Sequence, residues 1–109
     1  MRAIDKIKSV TIRGKRYNFV VKKLCNARGR TEHPETKHKT VYIDRRERGK
    51  KLLATLIDEF FHCAIWEIQN EIVDTISDDM ANALWRCGLR FNDEMLATKS
   101  KSQHGAYEV

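Results

Sequence analysis

The sequence predicts an α+β protein, a small antiparallel β-sheet of about three strands packed against two α-helices. Two observations predict it. Up to about residue 47 apolar residues alternate with polar ones, and beyond residue 48 they recur at steps of three and four. At 109 residues the chain suits one domain with a modest core. That domain is expected over residues 1–91, with a flexible tail over 92–109.

The strands come first, within residues 9–47. In "SVTIRGKRYNFVVKK", residues 9–23, Val10 and Ile12 alternate with polar partners, Gly14 supplies turn freedom, and Tyr17, Phe19 and Val21 alternate again. This reads as strand, turn, strand. The following stretch, "LCNARGRTEHPETKH", lacks periodicity and holds the only proline, so a loop is expected there. In "KTVYIDR" Val41 and Ile43 share a face and mark a third strand.

Helices follow. From Arg48 to Gln69 there is no proline and a single glycine, Gly49, while Leu52, Leu53, Leu56, Phe60, Cys63 and Ala64 recur at helical spacing. A helix over 48–69 is expected. A second is expected over 71–87 on the stripe Ile72, Val73, Ile76, Met80, Ala83, Leu84 and Cys87, with Asn70 as N-cap and Gly88 just past the end. Only a residue or two would separate the helices, which implies a tight hairpin. Trp66 and Trp85 are expected in the core, and Arg86 and Arg90 in pairs with acids of the second helix.

Composition narrows the function classes. No apolar run approaches the roughly 20 residues needed to span a bilayer. The start, "MRAIDKIKSV", has no hydrophobic signal core, so a cytoplasmic protein without membrane contact is expected. Cys25, Cys63 and Cys87 show no C-x-x-C spacing, which suggests neither a disulfide framework nor a thiolate zinc site; Cys63 adjoins His62 and is a possible metal neighbour. The net charge of +6 is unevenly spread: residues 1–51 carry 17 Lys/Arg against 5 Asp/Glu, and residues 52–109 carry 4 against 10. The basic half could contact nucleic acid, or the two halves could pack on each other. The run "DRRERGKK" at 44–51 reads as a solvated connection or a phosphate contact.

Chemistry concentrates in "LIDEFFHCAIWEIQNE", residues 56–71. Positions four apart on a helix lie one above the other, so Asp58 and His62 form a pair, with Glu59 displaced by about 100°. This is how H-E-x-x-H builds a zinc protease, two ligands on one face and a glutamate beside them that activates the metal-bound water. Here an aspartate stands in place of the first histidine. Glu71, opening the second helix, is the candidate third ligand if the chain folds back after Trp66. Asp58, His62 and Glu71 form a carboxylate-rich set that suits zinc, manganese or iron(II). The other reading is an amphipathic helix with a solvated polar edge. His33 and His38, beside the proline, could lend a replacement ligand.

The wider pattern resembles a family of small metallopeptidase-like proteins common in bacteriophage genomes. Its members carry an H-E-x-x-H helix that runs on to a tryptophan, a following Glu-Glu-Ala-Val helix and a terminal Leu-Trp-Arg-Leu-Gly-Tyr-Arg. The matching residues are Glu59, His62, Trp66, Glu71, Val73, Asp79, Ala81, Leu84, Trp85, Arg86, Gly88 and Arg90, with Gly29, Pro34, Lys39, Val41 and Ile43 upstream. The likeness covers about residues 10 to 91, and "ALWRCGLR" is its most specific part. It implies a minimal zincin-like fold, with Glu59 as catalytic general base, His62 as second ligand and Glu71 as third. Three departures stand out: Asp58 at the first histidine, Cys63 where the family has alanine, and Gln69-Asn70 where the family is acidic. The site has drifted while the packing residues have not. This implies a retained scaffold with altered or lost chemistry, a pseudoenzyme that engages a host protein or peptide in the host cytoplasm. The alternatives are an active metal-dependent peptidase and a basic nucleic-acid-binding accessory protein. No expectation about oligomeric state follows.

Overall fold

A computed structural model describes residues 2–92. After a single 3-10 turn at Ala3–Lys6 come strands β1 (Ser9–Ile12), β2 (Lys15–Lys22), β3 (Gly29–Thr31) and β4 (Thr40–Asp44), then helices α1 (Gly49–Ala64) and α2 (Asn70–Arg86). The α+β class agrees with expectation. The sheet has four strands rather than three, in the order β1-β2-β4-β3, and it is mixed rather than antiparallel.

The β1–β2 hairpin turns at Arg13 and Gly14, both at positive φ (52° and 77°), the backbone that matches strand twist in a two-residue turn. β2 and β4 run parallel, with Phe19 beside Val41 and Val21 beside Ile43. The long connection over residues 23–39 supplies the crossover that a parallel pair needs. Within it lies β3, antiparallel to β4, with Gly29 opposite Ile43 and Thr31 opposite Val41. Three residues are too few to display a period of two, so β3 reads as loop in the sequence. Pairing to β4, rather than any pattern of its own, makes it a strand.

Three layers result. Tyr17, Phe19, Val41 and Ile43 on the inner face of the sheet close against Leu52 and Cys63 of α1, with Leu56 and Phe60 beside them. On its other side α1 presents Leu53, Ala54 and Ile57 to Ala81 and Trp85 of α2. α1 is therefore the middle layer, and α2 packs mainly on it.

Helix boundaries and orientation depart from the sequence reading. α1 stops at Ala64 instead of Gln69, because Ile65 leaves helical geometry (φ −138°, ψ 80°). Residues 65–69 form the connection, and Trp66 lies in it with its ring 4.8 Å from that of His33. α2 begins at Asn70, so Gln69 rather than Asn70 precedes it. Its inner line is Val73, Ser77 and Ala81, whereas Ile72, Met80 and Leu84 are exposed at 47%, 40% and 39%. The small side chains of Ser77 and Ala81 let the helix lie close to α1 at Ala54, which turns the larger apolar stripe outward. Arg90 does not pair with acids of α2; its guanidinium lies 4.0 Å from the Trp85 ring centroid and donates to the Trp85 carbonyl at 2.8 Å. Among the described residues no helix is long and apolar enough to cross a membrane. Apart from Asn92, the tail expected over 92–109 lies outside the described residues.

Candidate functional site

The middle layer carries the polar residues singled out in the sequence. On α1, Asp58, Glu59 and His62 line a cleft of about 590 Å³, closed on one side by residues 26–29 leading into β3 and on the other by α2. α2 contributes Asp74, Ser77 and Asp78 to the walls, and Arg28 supplies a cation at the rim.

The helical spacing brings Asp58 and His62 together as expected, with Nε2 of His62 3.2 Å from Oδ1 of Asp58. Asp74 of α2 stands beside Asp58 as a second acid in the same cleft. Burial, the hydrogen bond to Asp74 and the nearby Glu59 push the Asp58 carboxyl up to about 7, against a smaller opposing pull from Arg28.

Glu59 is buried, with 7% of its surface exposed. Its Oε1 accepts a hydrogen bond from Thr31 Oγ1 at 2.6 Å. Burial raises its pKa, partly offset by that bond and by His62. The side chain lies directly on Gly29, where an added Cβ would stand 2.9 Å from both Cγ and Oε2 of Glu59 and 3.0 Å from Thr55 Cγ2. A larger residue there would force Glu59 or Thr55 to shift, because β3 passes flush against α1.

Glu71, the expected third ligand, is exposed and does not line the cleft. The acid from α2 that does reach Asp58 is Asp74. Once Val73 sets the inner face, Glu71 lies about 200° away around the helix while Asp74 flanks the interface. Among the described residues no three His, Cys, Asp or Glu side chains stand together in a way that could hold a metal ion.

The remaining candidates fall elsewhere. Cys63 is 4% exposed and belongs to the core, where burial pushes its thiol up to about 11, so it is protonated at neutral pH. Its carbonyl accepts from the buried Tyr17 hydroxyl at 3.3 Å. His33 leans on Trp66, and its Nδ1 accepts from the Glu35 amide at 3.0 Å. It lines a separate hollow with Pro34, Glu35 and Trp66, and His38 is exposed.

Sequence reasoning missed Gly29 as a packing site, Thr31, Arg28, Asp74 and Ser77. Ser77 is 1% exposed, lines the cleft, and its hydroxyl has no hydrogen-bond partner. The available signal was the Val73–Ser77–Ala81 line of small residues, which fixes the rotation of α2. Comparison with family models, curated proteins and solved structures gives no match to this chain.

Proposed function

We propose that this chain is a non-catalytic, zincin-like binding protein of bacteriophage type that engages a host protein or peptide in the host cytoplasm. The observation that supports this reading is the internal pairing of the residues that would face a metal. Asp58 is held between His62 and Asp74, and Glu59 is buried against Gly29 with its carboxylate on Thr31. The polar atoms of the motif serve the fold, and the cleft they leave is acidic and open to a partner.

A second reading, an active metal-dependent peptidase with Glu59 as general base, draws on one fact: Asp58, Glu59 and His62 do line a single cleft. Two measurements separate the readings. Protein purified without chelator or affinity tag should contain far less than one transition metal per chain by elemental analysis; close to one zinc, manganese or iron per chain would favour the peptidase. Capture from host lysate should return a stoichiometric partner that the Glu59→Gln variant also retains. A partner held by the variant but cleaved by the parent chain would sink the non-catalytic reading.

A further inference from the structure

The inner face of the sheet is covered by α1; on the outer face Thr40 and Asp44 are buried, Val20 and Tyr42 are partly exposed, and Arg16, Asn18, Lys22 and Arg30 are exposed. Side chains on β2 alternate, so that Tyr17 and Phe19 point inward while Arg16, Asn18, Val20 and Lys22 lie on the outer face. Strand register puts Val20, Tyr42 and Arg30 side by side across β2, β4 and β3. Tyr42 is flanked by two cations, with Lys22 Nζ 5.1 Å and Arg30 Cζ 4.5 Å from its ring centroid. From Arg16 to Lys22 the basic face extends about 20 Å along β2.

The acids of this half are already engaged. Asp5 lies 3.5 Å from Arg2, Glu35 is bonded to Lys15 at 2.8 Å, and Glu32 accepts from the Thr40 amide at 2.8 Å. Glu47 accepts from Thr55 at 2.9 Å. Asp44, the acid in register beside Lys22, is 3% exposed and is gripped by Arg46, which holds its carboxyl far below the usual range. Among the described residues Arg16, Lys22 and Arg30 form no ion pair with an acid. The positive charge of residues 1–51 therefore has an uncompensated outlet on one flat, twisted surface with an aromatic ring at its centre.

We propose that this open sheet face binds single-stranded nucleic acid, with Arg16, Lys22 and Arg30 meeting the phosphates and a base stacking at Tyr42. Cations supply a sequence-independent grip on the backbone, and a ring or a guanidinium plane offers any base a stacking surface. A duplex hides its base faces and cannot use Tyr42. The surface lies on the far side of the sheet from the α1 cleft, so the inference stands apart from the function proposed above.

The test is fluorescence anisotropy of the full chain with a labelled oligothymidylate 12-mer over a range of salt. Three phosphate contacts predict a slope of log affinity against log salt of about −2. The combined Arg16→Gln, Lys22→Gln and Arg30→Gln variant should lower affinity more than tenfold, on the order expected for lost phosphate contacts, and flatten that slope toward zero. Tyr42→Leu keeps the packing but loses the ring, and should weaken binding about fivefold or more, whereas Tyr42→Phe should not. Melting curves confirm that each variant is folded. The inference is overturned by an absence of binding at low salt, by a slope unchanged in the triple variant, by Tyr42→Leu binding like the parent chain, or by oligoglutamate competing as well as the oligonucleotide.

Discussion

α1 and α2 are neighbours of nearly equal length, 16 and 17 residues, and each is amphipathic, yet they bury themselves by different means. α1 lies between two layers and uses large side chains on both sides: Leu52, Leu56 and Phe60 toward the sheet, Leu53 and Ile57 toward α2. α2 packs mainly on α1 and meets it with Val73, Ser77 and Ala81, while Ile72, Met80 and Leu84 stay exposed. A hydrophobic stripe locates the interface of a helix that is surrounded. For an outer helix, the line of small residues that permits close approach is the better guide. The consequence reaches the cleft, because the rotation of α2 decides which of its acids meets Asp58.

The sharpest way to break this contrast is to overfill the line of small residues. Ala81 is 1% exposed against Leu53 and Ala54, so Ala81→Leu should cost about 2–3 kcal/mol in urea unfolding, the scale of an overpacked core. Ile72→Ala, although it removes a larger apolar group, should stay within about 0.5 kcal/mol because the residue is 47% exposed. The reverse ranking would mean that α2 packs on the stripe the sequence emphasises.

The same contrast sorts what could be read in advance. Both helices, the β1–β2 hairpin, β4 and the Asp58–His62 pair follow from local spacing, and each is present. β3 does not, since its three residues gain their structure by pairing with β4. Gly29 is visible as a glycine, but its reason is the flank of Glu59, thirty positions away in the chain. Glu71 is a candidate ligand in the sequence because the chain could fold back after Trp66, whereas in the structure Asp74 is the α2 acid beside Asp58 in the cleft. Rotation about the helix axis, set by packing on α1, was the missing quantity. The early stop of α1 at Ala64 carries no proline or glycine signal; the backbone simply leaves helical geometry at Ile65.

A smaller effect follows from the acid that α1 and α2 share. The Asp58 carboxyl is pushed from its ordinary 3.8 up to about 7, so its contribution to stability is complete below about pH 4 and is lost as pH rises through 7. Asparagine keeps the shape, can donate to Asp74 and accept from His62, and cannot ionise. Asp58→Asn should therefore be more stable than the parent chain at pH 8, by about 1–2 kcal/mol once solvent screening of this part-exposed group is allowed for, with the gap closing toward pH 4. Parallel urea titrations of both proteins isolate Asp58 and its immediate neighbours from the acids elsewhere in the chain. A gap that stays constant with pH would remove the raised Asp58 carboxyl from the account.

The smallest expected effect is the most pointed. Ser77 serves α2 by being small, yet its hydroxyl is buried beside the cleft without a partner. Leaving a buried polar group unbonded costs on the order of 1 kcal/mol or more, while the methylene it hangs from packs as alanine would. Ser77→Ala should then stabilise the free protein by about 1 kcal/mol, an unusual sign for a substitution at a fully buried position. If instead the variant loses stability, the hydroxyl is bonded in solution and the inner line of α2 needs it for more than its size. If the gain appears in the free protein and disappears in complex with a captured partner, the hydroxyl has found its acceptor there. Ser77 would then be the point at which the close-packed helix and the cleft serve the same end.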